Sequence, residues 1–279
     1  MINHVADLEK RFKEKVKSLR FFDANCWIGR PNFPGPCYPN GVDEIVEHLG
    51  HCGIGKAIVS HTLARFSHPT VGNSMLLESL SAAQADSRTA GSPGAELIPS
   101  FVLLPGVTGE LGPLDAYIDS MVEAGGRTVR LFPKSHNYSL RDWGCADLLS
   151  RLEERKLPLF IWPRETDWDT LFEAASRHPR LPVVLEQCEE EAYWNLRFLV
   201  PLLERCENVR VETNKAHLYL GVDEIVRRFG ASRVLFGSNL PVDDPFASLM
   251  LVADGDFSDG DKEKIARGNL ENLIQGVNT

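Results

Sequence analysis

Eight short β-type runs, most of them separated by enough helix-patterned chain for a crossover, constrain this sequence more than any other feature. They are FFDANCW (21–27), KAIVSH (56–61), LIPSFVLL (97–104), RTVRLF (127–132), LPLFIW (157–162), LPVVLEQ (181–187), NVRVET (208–213) and RVLFGSN (233–239). Most intervals carry apolar residues at helical spacing: VDEIVEHLGHCG (42–53), LDAYIDSMVEAGG (114–126), CADLLSRLEERK (145–156), WDTLFEAASRH (168–178), LRFLVPLLERC (196–206) and VDEIVRRFG (222–230). Strands that alternate with helices pair in parallel, because each crossover needs a helix. Eight such units predict an α/β fold, a closed (β/α)8 TIM barrel, over residues 1–279 as one domain. A doubly wound sheet would place a glycine-rich phosphate loop after its first strand. Here that strand runs into WIGRPNFPGPCYPNG, and the pair Gly125-Gly126 precedes a strand, as a helix stop does. The turn-rich SRTAGSPGAE (87–96) bridges a helix to the third strand. At the N-terminus, Val5, Leu8, Phe12, Val16 and Leu19 recur at helical spacing, which predicts a helix over 1–20 packed on the barrel.

Composition narrows the partners. The net charge of −9 leaves no basic stripe for nucleic acid. No stretch approaches the roughly 18 apolar residues of a membrane span. HVADLEKRFKEKVKSLR lacks the apolar run of a signal peptide. Six cysteines without a CxxC pair read as reduced thiols. The expectation is a cytoplasmic protein that takes a small-molecule substrate or ligand, binds neither nucleic acid nor membrane, and pairs as a homodimer through its outer helices.

In such a barrel the reactive groups stand at the C-terminal strand ends, and alternation decides which point inward. Several of these ends resemble a known family. FDANCWIG resembles the first strand of the amidohydrolase-related (amidohydrolase 2) family, written D-x-H-x-H-x-G, and GGRTVRLFP its fourth. LPLFIW and LPVVLEQ are similar to its fifth and sixth strands, each of which ends in His. RVLFGSNLP resembles its eighth, R-x-L-F-G-S-D-x-P, and IARGNLENLI its closing helix. The resemblance runs in order from about residue 21 to 275. It implies a metal-dependent hydrolase or decarboxylase fold with the metal at the barrel mouth.

The departures fall on the ligand positions. The first-strand histidines are Asn25 and Trp27, the fifth-strand position is Trp162, the sixth is Gln187, and the eighth-strand acid is Asn239. An amide oxygen is a weak ligand and an indole has no in-plane lone pair. Zinc normally takes at least three good donors, so no metal and no other cofactor is expected. Asp23, His61, Glu186, Glu212 and Asn214 lie near strand ends and leave a displaced site open.

The remaining polar groups suggest two readings. In the first, the chain is a metal-independent hydrolase of a lactone, ester or amide, a type the resembling superfamily includes. Arg130, Lys134 and Arg164 would hold an anionic substrate. His61 or Glu212 would activate water, with Asn25 and Asn239 donating to the oxyanion. Trp27 and Trp162 would form an apolar wall beside Gln187. In the second, the barrel binds a ligand or protein partner without turnover, with the two tryptophans plugging the mouth. His61 also reads as a structural histidine, Arg130 as an ion-pair partner of Asp23 or Glu212, and Glu189, Glu190 and Glu191 as a solvated run beside Cys188.

Overall fold

The computed structural model describes residues 2–32, 39–90, 94–186, 192–216 and 221–278. All eight expected strands form, in one parallel sheet ordered β1 to β8. They are β1 (Phe21–Ile28), β2 (Ile54–His61), β3 (Glu96–Val102), β4 (Thr128–Leu131), β5 (Leu159–Ile161), β6 (Val183–Leu185), β7 (Val209–Glu212) and β8 (Val234–Leu235). The backbone beyond β8 returns to β1: Ala24 N donates to Phe236 O, Trp27 N to Leu240 O and Asn239 N to Asn25 O, at 2.8–3.0 Å. These bonds close a (β/α)8 barrel. The N-terminal helix α1 (Ile2–Leu19) is present, with Val16 and Leu19 buried, but Leu8 is half exposed and so lies off the packed stripe.

The other helices are α2 (Val42–His51), α3 (Thr62–Phe66), α4 (Pro69–Ala90), α5 (Leu114–Glu123), α6 (Asp142–Arg155), α7 (Trp168–Arg177), α8 (Ala192–Arg205), α9 (Gly221–Phe229), α10 (Pro245–Ala253), α11 (Asp259–Glu263) and α12 (Asn269–Gln275). Among the described residues none is long and apolar enough to cross a membrane.

Alternation sends Val129, Leu131, Leu159, Ile161, Val209 and Val211 outward into the layer beneath the helices. Phe22, Ala24, Ile58, Phe160, Val184 and Leu235 turn inward and form an apolar plug with Leu270 and Leu273 of α12. Two side chains also tie backbone carbonyls together where the chain enters β7 and β8. Arg233 donates to the carbonyls of Leu203, Cys206 and Val209, and Asn208 to those of Ala175, His178 and Leu181. The motif Arg233 is therefore a clamp between two crossovers, remote from the barrel mouth.

One irregularity shapes the site. The β1–β2 register shifts between Asp23 and Cys26. Such a bulge changes which parity faces inward. Ala24 thus joins the apolar plug while Asn25 and Trp27, two residues apart, share the level above it.

Candidate active site

Above the plug lies a layer of buried polar side chains. Arg130 is 0% exposed. Its Nε donates to Glu186 Oε1 at 2.9 Å, one Nη to Ser60 Oγ at 2.6 Å and the other to Ala24 O at 3.0 Å. Its Cζ lies 5.1 Å from the Trp27 ring centre and 5.5 Å from that of Phe160. One guanidinium on β4 thus binds β1, β2 and the end of β6, between two aromatic faces. Burial nonetheless raises the Glu186 carboxyl above its usual range, with Arg130 opposing.

Beside it runs a second chain of bonds. Trp27 Nε1 donates to Asn25 Oδ1 and Asn25 Nδ2 donates to Glu212 Oε1, both at 2.9 Å. Glu212 is 0% exposed and fits against Gly237, where a Cβ would meet its Oε2 at 2.0 Å. The glycine of F-G-S-N is what leaves room for this carboxylate. Asp23 accepts from Asn25 N at 3.0 Å, from Ser238 N at 2.9 Å and from Ser238 Oγ. Burial outweighs these donors and pushes its carboxyl up to about 6.

At the rim His61 and Asn239 are buried, while Lys134 and Arg164 are exposed. His61 ends β2 and caps α3, its Nδ1 accepting from Leu63 N at 3.1 Å. That bond puts the proton of the neutral ring on Nε2, and burial lowers the imidazole's affinity for a second proton. Gly29, at φ 83°, passes the ring where a Cβ would stand 2.6 Å from Cε1. Asn239 has a left-handed backbone (φ 60°), tolerable for Asn, which turns the chain back. Its Nδ2 donates to Asp243 Oδ2 at 2.7 Å; Asn214 Nδ2 donates to the same oxygen at 3.3 Å and Lys215 Nζ stands 3.7 Å away. Asp243, which no sequence pattern marks, is partly exposed.

On the other side of the mouth the Arg65 guanidinium stands 5.0 Å from the Phe132 ring centre and 4.8 Å from that of Trp162, with Glu165 Oε1 at 3.5 Å. Arg164 lies exposed, 5.8 Å from the Trp162 ring centre. Lys134 is exposed, its backbone N donating to Glu165 O. Phe132 also neighbours Trp27, ring centres 6.1 Å apart.

The structure thus brings Asn25, Trp27, Arg130, Glu186 and Glu212 into one buried layer. His61, Lys134, Trp162, Arg164 and Asn239 stand around its rim. Gln187, Cys188, Glu189, Glu190 and Glu191 lie outside the described residues. Arg130, offered by the sequence as a substrate ligand or as a partner of Asp23 or Glu212, has Glu186 as its carboxylate and all three nitrogens bonded within the protein. Asn25 is likewise committed at both ends of its amide.

Among the described residues, the side chains at the expected ligand positions do not fit a divalent ion. Asn25 and Trp27 hydrogen-bond each other, the Asn239 amide faces Asp243, and a buried guanidinium stands one level away. Among the described residues no group of three or more His, Cys, Asp or Glu side chains is arranged to hold a metal.

The profile of the family described as amidohydrolase matches residues 98–273. No curated protein matches the chain in sequence. Solved structures with a similar fold include an uncharacterized TIM-barrel protein from Bordetella bronchiseptica (16% identity, TM-score 0.65, covering 92% of this chain and 98% of that one). A 5-carboxyvanillate decarboxylase from Sphingomonas paucimobilis superposes with TM-score 0.69 at 11% identity, over 92% and 99% of the two chains. A probable 2-pyrone-4,6-dicarboxylic acid hydrolase from Acinetobacter baumannii, solved with citric acid bound, does so at 0.63 and 10%, over 92% and 99%.

Proposed function

The chain belongs to the amidohydrolase family, and from that premise we propose that it is a metal-independent hydrolase of a small anionic lactone, ester or amide, working at the rim of the barrel. The observation that carries this reading is Asp243. Two amides and a nearby ammonium hold its carboxylate beside Asn239, at the strand ends where this fold does its chemistry. Asp243 would take a proton from water attacking the carbonyl, and Lys215 would stabilise the developing oxyanion. His61 keeps a supporting role through its Nε2–H, since Nδ1 is engaged as a cap. Arg164 and Lys134 supply positive charge for an anionic substrate, with Trp162 as an apolar wall. Glu212, Asn25, Trp27 and Arg130 shape the floor. Two structural neighbours carry names of small carboxylic acids, which supports an acidic substrate.

The test is hydrolysis of a panel of small carboxylated lactones and esters by chelator-treated protein. The reading expects turnover that survives the chelator and falls about 10²–10⁴-fold in Asp243→Asn. Turnover unchanged in that variant would remove Asp243 from the chemistry.

One observation favours a second reading, ligand binding without turnover. Asp23, Asn25, Arg130, Glu186 and Glu212 are all at most 2% exposed and bonded to one another or to the backbone. Saturable binding of the same panel with no turnover would select it.

A further inference from the structure

We propose that the Arg130 guanidinium is a tethered replacement for the metal ion of this fold: a fixed cation whose bonds hold the strand ends together, and whose removal opens a cation-binding cavity. A metal ion at a barrel mouth does two things besides chemistry. It neutralises inward carboxylates, and it ties strand ends through its ligands. Arg130 does both.

Its three donors reach the backbone of β1, a hydroxyl of β2 and the carboxylate just after β6, from a root on β4. The side chain is 0% exposed, and its faces are covered by Trp27 on the mouth side and by Phe160 of the apolar plug. Three buried carboxylates, Asp23, Glu186 and Glu212, share this layer, where one guanidinium is the buried cation among the described residues that meets any of them directly. Burying those charges without a cation would be strongly unfavourable. A second, divalent cation beside Arg130 would meet like charge at short range in a region of low dielectric. The same guanidinium that stabilises the floor also occupies the Glu186 carboxylate, a donor that a metal ion would otherwise claim. This inference does not depend on whether the barrel turns over substrate.

The test compares Arg130→Lys, which keeps the charge, with Arg130→Met, which keeps length and apolar bulk, and adds Arg130→Ala to open the cavity. Melting temperature is the readout, and no activity is needed. Arg130→Lys is expected to melt well above Arg130→Met, which should fall by roughly 10 °C from the parent. Guanidinium or methylguanidinium chloride at millimolar concentration, far below denaturing levels, is expected to raise the melting temperature of Arg130→Ala by several degrees. The same salt should leave the parent unchanged, and sodium chloride or urea should not mimic it. If Arg130→Ala is recovered only as aggregate, the Lys and Met pair decides the matter. Arg130→Met as stable as Arg130→Lys, or an Arg130→Ala protein that folds and ignores guanidinium, would overturn the proposal.

Discussion

Replacing Gly237 with Ala should unseat Glu212 and break the chain of bonds that runs from Glu212 through Asn25 to Trp27. An ideal Cβ at Gly237 would lie 2.0 Å from Glu212 Oε2 and 2.8 Å from its Cδ, closer than a Cβ approaches any nonbonded heavy atom. Glu212 is 0% exposed, so its carboxylate cannot swing into water. It must retreat, which costs its bond from Asn25 Nδ2 and leaves both groups buried with poorer partners. A hydrogen bond to a charged group is worth about 1.5–3 kcal/mol and overpacking a core typically costs about 1–3 kcal/mol, so the expected loss is roughly 3–5 kcal/mol. Urea unfolding followed by circular dichroism gives the number directly. The control is the same change in a Glu212→Ala background, where the nearest obstacle is gone. There Gly237→Ala should cost less than about 1 kcal/mol, a coupling of the size expected for residues in contact. An unchanged midpoint in the single variant, or an equal cost in both backgrounds, would refute the placement of Glu212 against the glycine.

Asp23 has its carboxyl raised from 3.8 to about 6, so the folded state binds the proton more tightly than the unfolded chain; stability should fall, by up to roughly 3 kcal/mol, as pH rises from about 4 through 6. Asp23→Asn should flatten that slope in a pH series of unfolding midpoints, and a slope that persists would assign it to another group. His61→Ala should cost about 1 kcal/mol as a lost helix cap while His61→Asn largely restores it; equal loss in both would mean that Nδ1 does not cap α3. Trp27→Phe removes the donor to Asn25 Oδ1 and should cost about 1–3 kcal/mol in the same unfolding assay, where a neutral result would show that the bond contributes nothing.

The barrel is legible in the sequence because its signal is long-range and repeated: each strand pattern is short, but eight in alternation leave few topologies. The site is legible only in part. That Asn25 and Trp27 share a face follows from their spacing. The bulge that places Ala24 on the inner side as well does not, because it depends on how β1 meets β2. The sequence offers Asp23 or Glu212 as the partner of Arg130, and the barrel's register brings Glu186 to it instead. The sequence leaves His61 in IVSHT open between a base and a structural histidine; α3 begins immediately after it and takes its Nδ1. Asp243 is hidden in a turn-rich P-V-D-D-P segment; the left-handed Asn239 bends that segment back over the mouth, and side-chain periodicity carries no sign of it. Gly237 and Arg233 were visible as motif letters, and their physical reasons, room for a carboxylate and a clamp on three carbonyls, appear only in three dimensions.

In the reading proposed above, hydrogen-bonded amides, an indole and a guanidinium take the place of a divalent ion. The most direct measurement is metal content by plasma mass spectrometry on tag-free protein, before and after incubation with excess Mn²⁺ or Zn²⁺ and removal of the free ion. Well below one equivalent is expected in both samples. One tightly held equivalent per chain would contradict that reading.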